Sequence, residues 1–539
     1  MTVELERLPE NVAELKRIIV RQQRELQEHE QEIRRRDNEI EQQRVENKTL
    51  REQLALLKKT LFGPKSERLA PADEKQGRLF DEAEANSAGE PEKATSGVKA
   101  HKRRKRGRKP LPDWLPREEE IYDLAEEEKV CGDCGSPLAS IGEKSTEELE
   151  IIPEQVFVRK TTRFAYNCPN CEKKKAADEK TVIKADTPPR LIPKSIASAG
   201  LVAYTLTAKF CDHLPFYRLE KIFSRWGVEL KRATMCNWAL YVAGRCKRLY
   251  ELLWEPVLTG RHTGADESHL QVHGEPGRKN TTKSFMWVIR GGPPDRPAVL
   301  FEYRETREAK FLVDRLDGFK GVLQTDGYEA YDGVAVALNV VHAGCWDHAR
   351  RKFREALHVS DGKSRPAKKA LLTIRNMYRT EKKAREAELS PAELLELRQT
   401  ETARRLRWLK RWLDRRSVEI PPRSAMGKAI KYTLNQWPKL VRFVEDPNIP
   451  ISNAPVENAI RPFCVGRRNW LFSGSPRGAM ASAILYSLIE TARANGFEPY
   501  WYLRYLFKHL PSAKTDDELR ALLPTNLDPN SIPGPTKPD

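Results

Sequence analysis

No stretch of this 539-residue chain approaches the roughly 18 consecutive apolar residues that a membrane-spanning helix needs, so an integral helical membrane protein is excluded. The opening residues, MTVELERLPENV, have no apolar core, and no secretory leader is expected there. Cysteine is scarce and odd in number, nine in all, which argues against a disulfide framework and for a reducing, cytoplasmic setting. Acid is in short supply as well. Asp plus Glu number 77 against 95 Lys plus Arg, a net charge of +18. Clustered cations in that excess are rewarded by counterion release from a polyanion, most often nucleic acid. The length suggests about three or four domains.

Glycine and proline are almost missing from residues 8–61, where apolar residues recur every seven positions: Val12, Ile19, Leu26, Ile33, Ile40, then Asn47, Leu54 and Leu61. A weaker series, Leu15, Gln22, His29, Arg36, Gln43, Leu50 and Leu57, follows three residues behind. This three-four alternation predicts a coiled coil over residues 1–68 that makes the chain a homodimer or higher oligomer. Branched residues in the stronger series, with a single Asn47, favour two parallel strands. Residues 69–115 read as a disordered linker that carries the basic block 101–110, in which seven of ten residues are Lys or Arg. Arg103, Arg104, Arg106, Arg108 and Lys109 there suit an AT-hook-like segment entering a narrow minor groove.

Residues 116–189 contain Cys131-Gly-Asp-Cys134 and Cys168-Pro-Asn-Cys171, separated by 33 residues. Two such knuckles can converge as the four thiolates of a structural Zn2+ in a zinc-ribbon-like module. Residues 190–260 read as helical. Within them Tyr217–Trp226, a turn at Gly227-Val228, and Arg232–Tyr241 have the spacing of a helix-turn-helix.

From residue 261 short strands alternate with helices. Strands are expected over His262–His273, Ser284–Arg290 and Ala298–Tyr303, a helix over Arg307–Leu316, then strands over Gly321–Asp326 and Asn339–His342. That order is the order of a ribonuclease-H-like sheet, giving a multidomain α+β protein. In it residues 261–358 form the first part of the catalytic core. An all-helical insertion over 359–446 and a second part over 447–490 follow, with a C-terminal segment over 491–539. Asp266 lies within the first strand and Asp326 ends the fourth, which is its neighbour, so the two carboxylates could share divalent cations. A third acid, Glu457, lies 131 positions after Asp326 at the start of a helix opened by Ser452-Asn-Ala-Pro455. Behind it Gly466–Ser475 is basic and aromatic. Arg467, Arg468 and Trp470 there suit a nucleic-acid backbone beside a metal site.

Taken together, these residues resemble the transposases of the insertion-sequence-66 group, bacterial members of the Asp-Asp-Glu transposase superfamily. The resemblance rests on Leu61-Phe-Gly-Pro-Lys-Ser-Glu67, Arg106-Gly-Arg-Lys-Pro-Leu-Pro112, the paired knuckles and Ala265-Asp-Glu-Ser268. It extends through Leu323-Gln-Thr-Asp-Gly-Tyr328, Cys345-Trp-Asp-His-Ala-Arg-Arg-Lys-Phe353, Asn453-Ala-Pro-Val-Glu-Asn458, Gly466–Ser475 and Glu490–Tyr500. Ser268, Pro64 and Asp347 depart from the residues usual in the family. The resemblance implies that Asp266, Asp326 and Glu457 are a catalytic triad holding Mg2+ or Mn2+. It further implies that Arg350 and Arg351 join the DNA contacts, and that the partners are transposon terminal repeats, target DNA and small accessory proteins of the element. The expected activity is metal-dependent DNA cleavage and strand transfer in the bacterial cytoplasm, at the nucleoid. A non-catalytic dimeric zinc-containing DNA-binding regulator and a nuclease or resolvase that cuts without joining are the rival readings.

Overall fold

A computed structural model describes residues 11–62, 156, 158, 165–167, 182–184 and 189–532. With so little glycine or proline to break it, the first segment forms one 51-residue helix, α1 (Val12–Phe62). Pairs one turn apart brace it, such as Arg21 with Glu25 at 3.0 Å and Arg36 with Glu32 at 2.7 Å. Exposed pairs of this kind contribute only about 0.2–0.5 kcal/mol each, so a helix this long needs cover for its apolar stripe. Within the single chain that stripe is open: Ile19, Leu26, Ile33 and Ile40 are 52, 61, 59 and 47% exposed. Near its far end Glu52 accepts the backbone N–H of Ala425 at 3.3 Å.

β1 (Ala165–Asn167) pairs antiparallel with β2 (Val182–Lys184), and β1 ends immediately before Cys168 in the sequence. The four knuckle cysteines, Cys131, Cys134, Cys168 and Cys171, lie outside the described residues. So do the hook residues Arg103, Arg104, Arg106, Arg108 and Lys109.

The next helices are α2 (Ala199–Phe210), α3 (Phe216–Arg225), α4 (Arg232–Arg245), α5 (Lys247–Leu252) and α6 (Trp254–Thr259). The apolar face of α3, Phe216, Leu219 and Phe223, is buried. Its end is closed by Gly227 at φ +75, with the Val228 N–H donating to the Phe223 carbonyl at 3.0 Å. That left-handed closure favours glycine, and it puts the turn where the spacing predicts.

The main sheet comprises β3 (His262–Gln271), β4 (Lys283–Gly291), β5 (Ala298–Arg304), β6 (Val322–Gln324) and β7 (Val341–Ala343) in the order β5-β4-β3-β6-β7. β3, β4 and β5 form an antiparallel meander, while β6 and β7 run parallel to β3. Parallel neighbours need crossovers, supplied here by α7 (Phe311–Arg315) and α8 (Ala330–Leu338). α7 is shorter than the expected 307–316 helix. Arg307 is instead drawn toward the sheet, where Glu267 and the Tyr328 ring hold its guanidinium.

Helices α9 (Trp346–Val359), α10 (Arg365–Glu386), α11 (Pro391–Leu397), α12 (Ala403–Glu419), α13 (Ala425–Asn435) and α14 (Trp437–Leu440) enclose a second core around Phe353, Ile374, Met377, Leu409, Leu413 and Ile430. A π-helical turn, Arg398–Thr402, joins α11 to α12. Its buried Arg398 is satisfied by both oxygens of Glu381, at 2.9 and 2.7 Å, and by the Phe443 and Asp446 carbonyls. The chain then returns to the sheet through α15 (Ala454–Trp470), α16 (Pro476–Ala494), α17 (Pro499–His509) and α18 (Asp516–Arg520). α16 covers the edge of β5, where hydroxyls replace a missing neighbour strand. Ser487 Oγ accepts the Phe301 N–H at 2.8 Å, and Thr491 Oγ1 accepts from the Val299 N–H and donates to its carbonyl, both at 3.0 Å.

Candidate metal and nucleic-acid site

The parallel pairing of β3 with β6 sets His262 opposite Val322, Thr263 opposite Leu323 and Gly264 opposite Gln324. Asp266 lies two residues further along β3, whereas Asp326 does not end the fourth strand as expected but follows it, two residues past Gln324, near enough for its charge to act on Asp266. Asp326 accepts the Tyr328 N–H at 2.9 Å, the turn that an Asp-Gly pair favours.

Glu457 arrives from the first turn of α15, whose N-cap is Asn453. Buried Asn453 ties this helix start to two other elements. Its Nδ2 donates to the Ala265 carbonyl of β3 at 3.0 Å, and its backbone N–H donates to Cys345 Sγ at 3.2 Å. The approach depends on Gly264, since a Cβ there would overlap Val456 and the Asn453 amide. The result is that Glu457 stands beside Asp266, in the first turn where the helix dipole also favours an acid.

Burial, and then the negative charges of Glu267, Glu457 and Asp326, push the Asp266 carboxyl up to about 8, against one backbone N–H from Glu267 at 2.8 Å that favours its ionised form. An acid kept protonated by burial and by crowding like charges suits a place where a cation can bind. The oxygen donors of Asp266, Asp326 and Glu457 fit a hard divalent ion. On the far side of Glu457 the neighbours change character. His348 Nδ1 is 3.5 Å and Arg351 Nη2 3.7 Å from its two oxygens, and Cys345 Sγ is 3.9 Å away. Cys345, His348 and Glu457 bring sulfur, nitrogen and oxygen ligand atoms within 4.8 Å of one another.

Glu267 points to the opposite face of the sheet, as strand alternation requires, and is held by Arg307 Nε at 2.7 Å and Tyr331 Oη at 2.6 Å. Asp347 turns toward the helical insertion, accepting the Tyr378 hydroxyl at 2.6 Å, and Arg350 lies over the same ring at 5.8 Å. Trp346 is fully buried and donates to the Leu440 carbonyl at 2.8 Å. Arg467 Nη1 donates to Ser268 Oγ at 2.9 Å and to the His269 carbonyl, so it is anchored to β3 two residues beyond Asp266. Arg468 is exposed. Trp470 is turned inward, 5.7 Å from the Phe463 ring and under the Lys209 ammonium at 5.6 Å. The large apolar side chains open to solvent there are the next two, Leu471 and Phe472.

Several residues of this region escape a linear reading. Tyr432 of α13 packs against Gly327, and beside it opens a cleft of about 340 Å3 lined by Lys352, Arg423, Lys428 and Lys431 together with Glu52 and Gln53 of α1. These cations are scattered singly along the chain and only folding gathers them. In the densest basic run of the insertion, Arg404–Trp412, Lys410 is paired with Asp414 and Arg405 with Glu401. Gly264, Cys345 and Asn453 sit inside motifs already singled out for their acids, yet nothing in their spacing shows that they touch.

Acids on a strand, just past its neighbour and at a helix start define a candidate metal site. The family model described as Transposase IS66 family matches residues 194–481. Three further models match: Transposase C of IS166 homeodomain over 49–119, zinc-finger binding domain of transposase IS66 over 128–172, and IS66 C-terminal element over 487–525. Among proteins of Sinorhizobium fredii (strain NBRC 101917 / NGR234), Uncharacterized protein y4jD is 32% identical over 495 residues, 88% of this chain and 94% of that protein. Uncharacterized protein y4qI is 30% identical over 550 residues, 97% and 98% of the two chains. This chain belongs to the IS66 family of transposases.

Proposed function

We propose that this chain binds the terminal repeats of an insertion sequence, cleaves DNA there and joins the freed ends to target DNA, with Asp266, Asp326 and Glu457 as its catalytic carboxylates. The observation that carries this reading is the crowding of Asp266 by the charges of Glu457 and Asp326, with Asp326 just past the strand paired to β3 and with Gly264 and Asn453 bringing Glu457 alongside. The strand order also supports a ribonuclease-H-like core interrupted by an all-helical insertion.

Mg2+ or Mn2+, when bound, lowers the pKa of an attacking water and stabilises the leaving oxygen. The chain supplies the rest. Asp266 on the sheet and Asp326 just past β6 would offer two ligand positions, and Glu457 a third from the helix. Arg351 and His348, already within 4 Å of Glu457, are placed to meet a phosphate. Arg467 is held by a hydroxyl and a carbonyl rather than a carboxylate, so its charge is left for the DNA backbone. Arg350, Arg468 and the Lys352, Arg423, Lys428 and Lys431 cleft extend that track, while Trp470 supports it from within. The freed 3′-hydroxyl can then meet a target phosphate at the same carboxylates, so the second step reuses the geometry of the first.

The remaining parts serve assembly and end recognition. The open stripe of α1 pairs with a second copy. Cys131, Cys134, Cys168 and Cys171 hold one Zn2+. The α3–α4 hairpin and the Arg103–Lys109 hook bind end DNA at the bacterial nucleoid, with small accessory proteins of the element as further partners. The test is an end-cleavage and strand-transfer assay of the wild type beside Asp326→Asn, Asp266→Asn and Glu457→Gln. Loss of both steps with end binding kept is expected. Normal cleavage by Asp326→Asn would refute the triad, and binding without Mg2+-dependent nicking by the wild type would point to a regulator.

A further inference from the structure

The end of α15 carries a backbone conformation that its residues would not choose. Leu471 has φ +67 and ψ −51, and the Phe472 N–H donates to the Trp470 carbonyl at 2.9 Å. Together these define the rarer, strained form of γ-turn, unusual for a leucine. The turn is fixed on both sides. Leu471 N–H closes on the Arg467 carbonyl at 2.8 Å, Ser473 N–H donates to Gln271 and His273 N–H to Ser473, both at 2.9 Å. The Phe472 ring stacks on His273 with centroids 4.1 Å apart and planes at 15°.

This strain does not serve burial. Leu471 is 64% and Phe472 43% exposed, and they stand beyond Arg467 and exposed Arg468 on a surface that also carries Lys283. Two apolar side chains held outward among cations match what a DNA duplex offers: phosphates at the rim and an apolar base stack behind them. A protein partner of ordinary composition would not call for the cationic surround.

We propose that Leu471 and Phe472 form an apolar wedge that enters and unstacks a base step of the bound DNA. The proposal rests on the transposase reading of the acid site, and it adds a position. From Glu457 to Trp470 along α15, at 1.5 Å per residue, is about 20 Å. From Asp266 to His273 along β3, at ~3.3 Å per residue, is about 23 Å. The two paths agree. For a duplex lying along α15 and β3, at ~3.4 Å per base step, the wedge would meet it about six base pairs from the phosphate at the acids. The strained turn supplies rigidity, so the side chains need not be ordered as they insert.

The test uses the full chain and a series of duplexes carrying the terminal repeat that borders its coding segment, each with one 2-aminopurine between three and ten base pairs on either side of the terminus. Fluorescence is read without divalent metal, so it does not depend on cleavage. The wedge predicts a rise confined to one step about six base pairs out, lost in Leu471→Ala/Phe472→Ala, with end affinity weakened about tenfold. Leu471→Gly keeps the turn and relieves the strain. It should lose the fluorescence rise while its thermal midpoint stays level or climbs. No responsive position, a rise that survives in the double variant, or a change of oligomeric state in place of the rise would overturn the wedge. Mg2+-dependent cleavage by the wild type on the same duplexes reports on the catalytic reading separately.

Discussion

Gly264 of β3 and Asn453 at the head of α15 touch where no side chain on residue 264 would fit, and that contact sets the distance between the helix bearing Glu457 and the strand bearing Asp266. A single methyl group on residue 264 would press on Val456 and the Asn453 amide, both of which are buried. Gly264→Ala should cost about 1–3 kcal/mol by overpacking and displace Glu457. End cleavage should therefore fall by far more than end binding. Equal losses of the two, measured on one protein preparation, would show that the contact is merely structural.

The β5 edge makes a second prediction. Thr491 takes both the N–H and the carbonyl of Val299, so Thr491→Val leaves two buried backbone groups without partners at nearly unchanged volume. A loss of about 1–3 kcal/mol is expected, seen as a lower urea midpoint. An unchanged midpoint would mean that the Thr491 bonds add nothing to the hold of α16 on β5.

Much of the sheet could be read from the sequence because β3, β4 and β5 each carry a strand pattern, although Asp326, expected to end the fourth strand, lies two residues past it. The order of neighbours followed from the crossover rules. Contacts between distant segments could not be read in this way. Asn453 lies 188 positions from the Ala265 carbonyl it binds, and no periodicity records such a pair. Trp470 looked like a surface aromatic because it follows two arginines, yet it packs inward on Phe463, and the helix end exposes Leu471 and Phe472 instead. The basic cleft was hidden for the same reason: Lys352 comes from α9, while Arg423, Lys428 and Lys431 come from the later segment at α13.

Metal-free stability should depend on pH through Asp266. Its folded carboxyl is raised to about 8 from an ordinary value of 3.8, so between these limits the folded state holds a proton that the unfolded state releases. Stability is full below the lower value and falls as pH rises toward 8, since the folded state must then either stay protonated or bear the repulsion. Asp266→Asn removes that dependence. It should be more stable than the wild type at pH 9 without metal, and should gain little from added Mg2+ while the wild type gains clearly. Parallel thermal midpoints for the two proteins across pH 5–9 would contradict this.

For the knuckles, elemental measurement on the purified chain should find about one zinc per protomer. Replacing Cys131 and Cys168 together should remove it. Zinc content unchanged by that pair of substitutions would rule out the four-thiolate site.

Asp266, Asp326 and Glu457 are proposed to converge on one divalent-cation site. The most direct test is to load Fe2+ in place of Mg2+, add ascorbate and peroxide, and map where the polypeptide backbone is cut by locally formed radicals. Cuts are expected near residues 266, 326 and 457 together, competed by Mg2+ and lost at all three places in Asp326→Asn. Cutting near only one of the three, or cutting that persists elsewhere in Asp326→Asn, would contradict it.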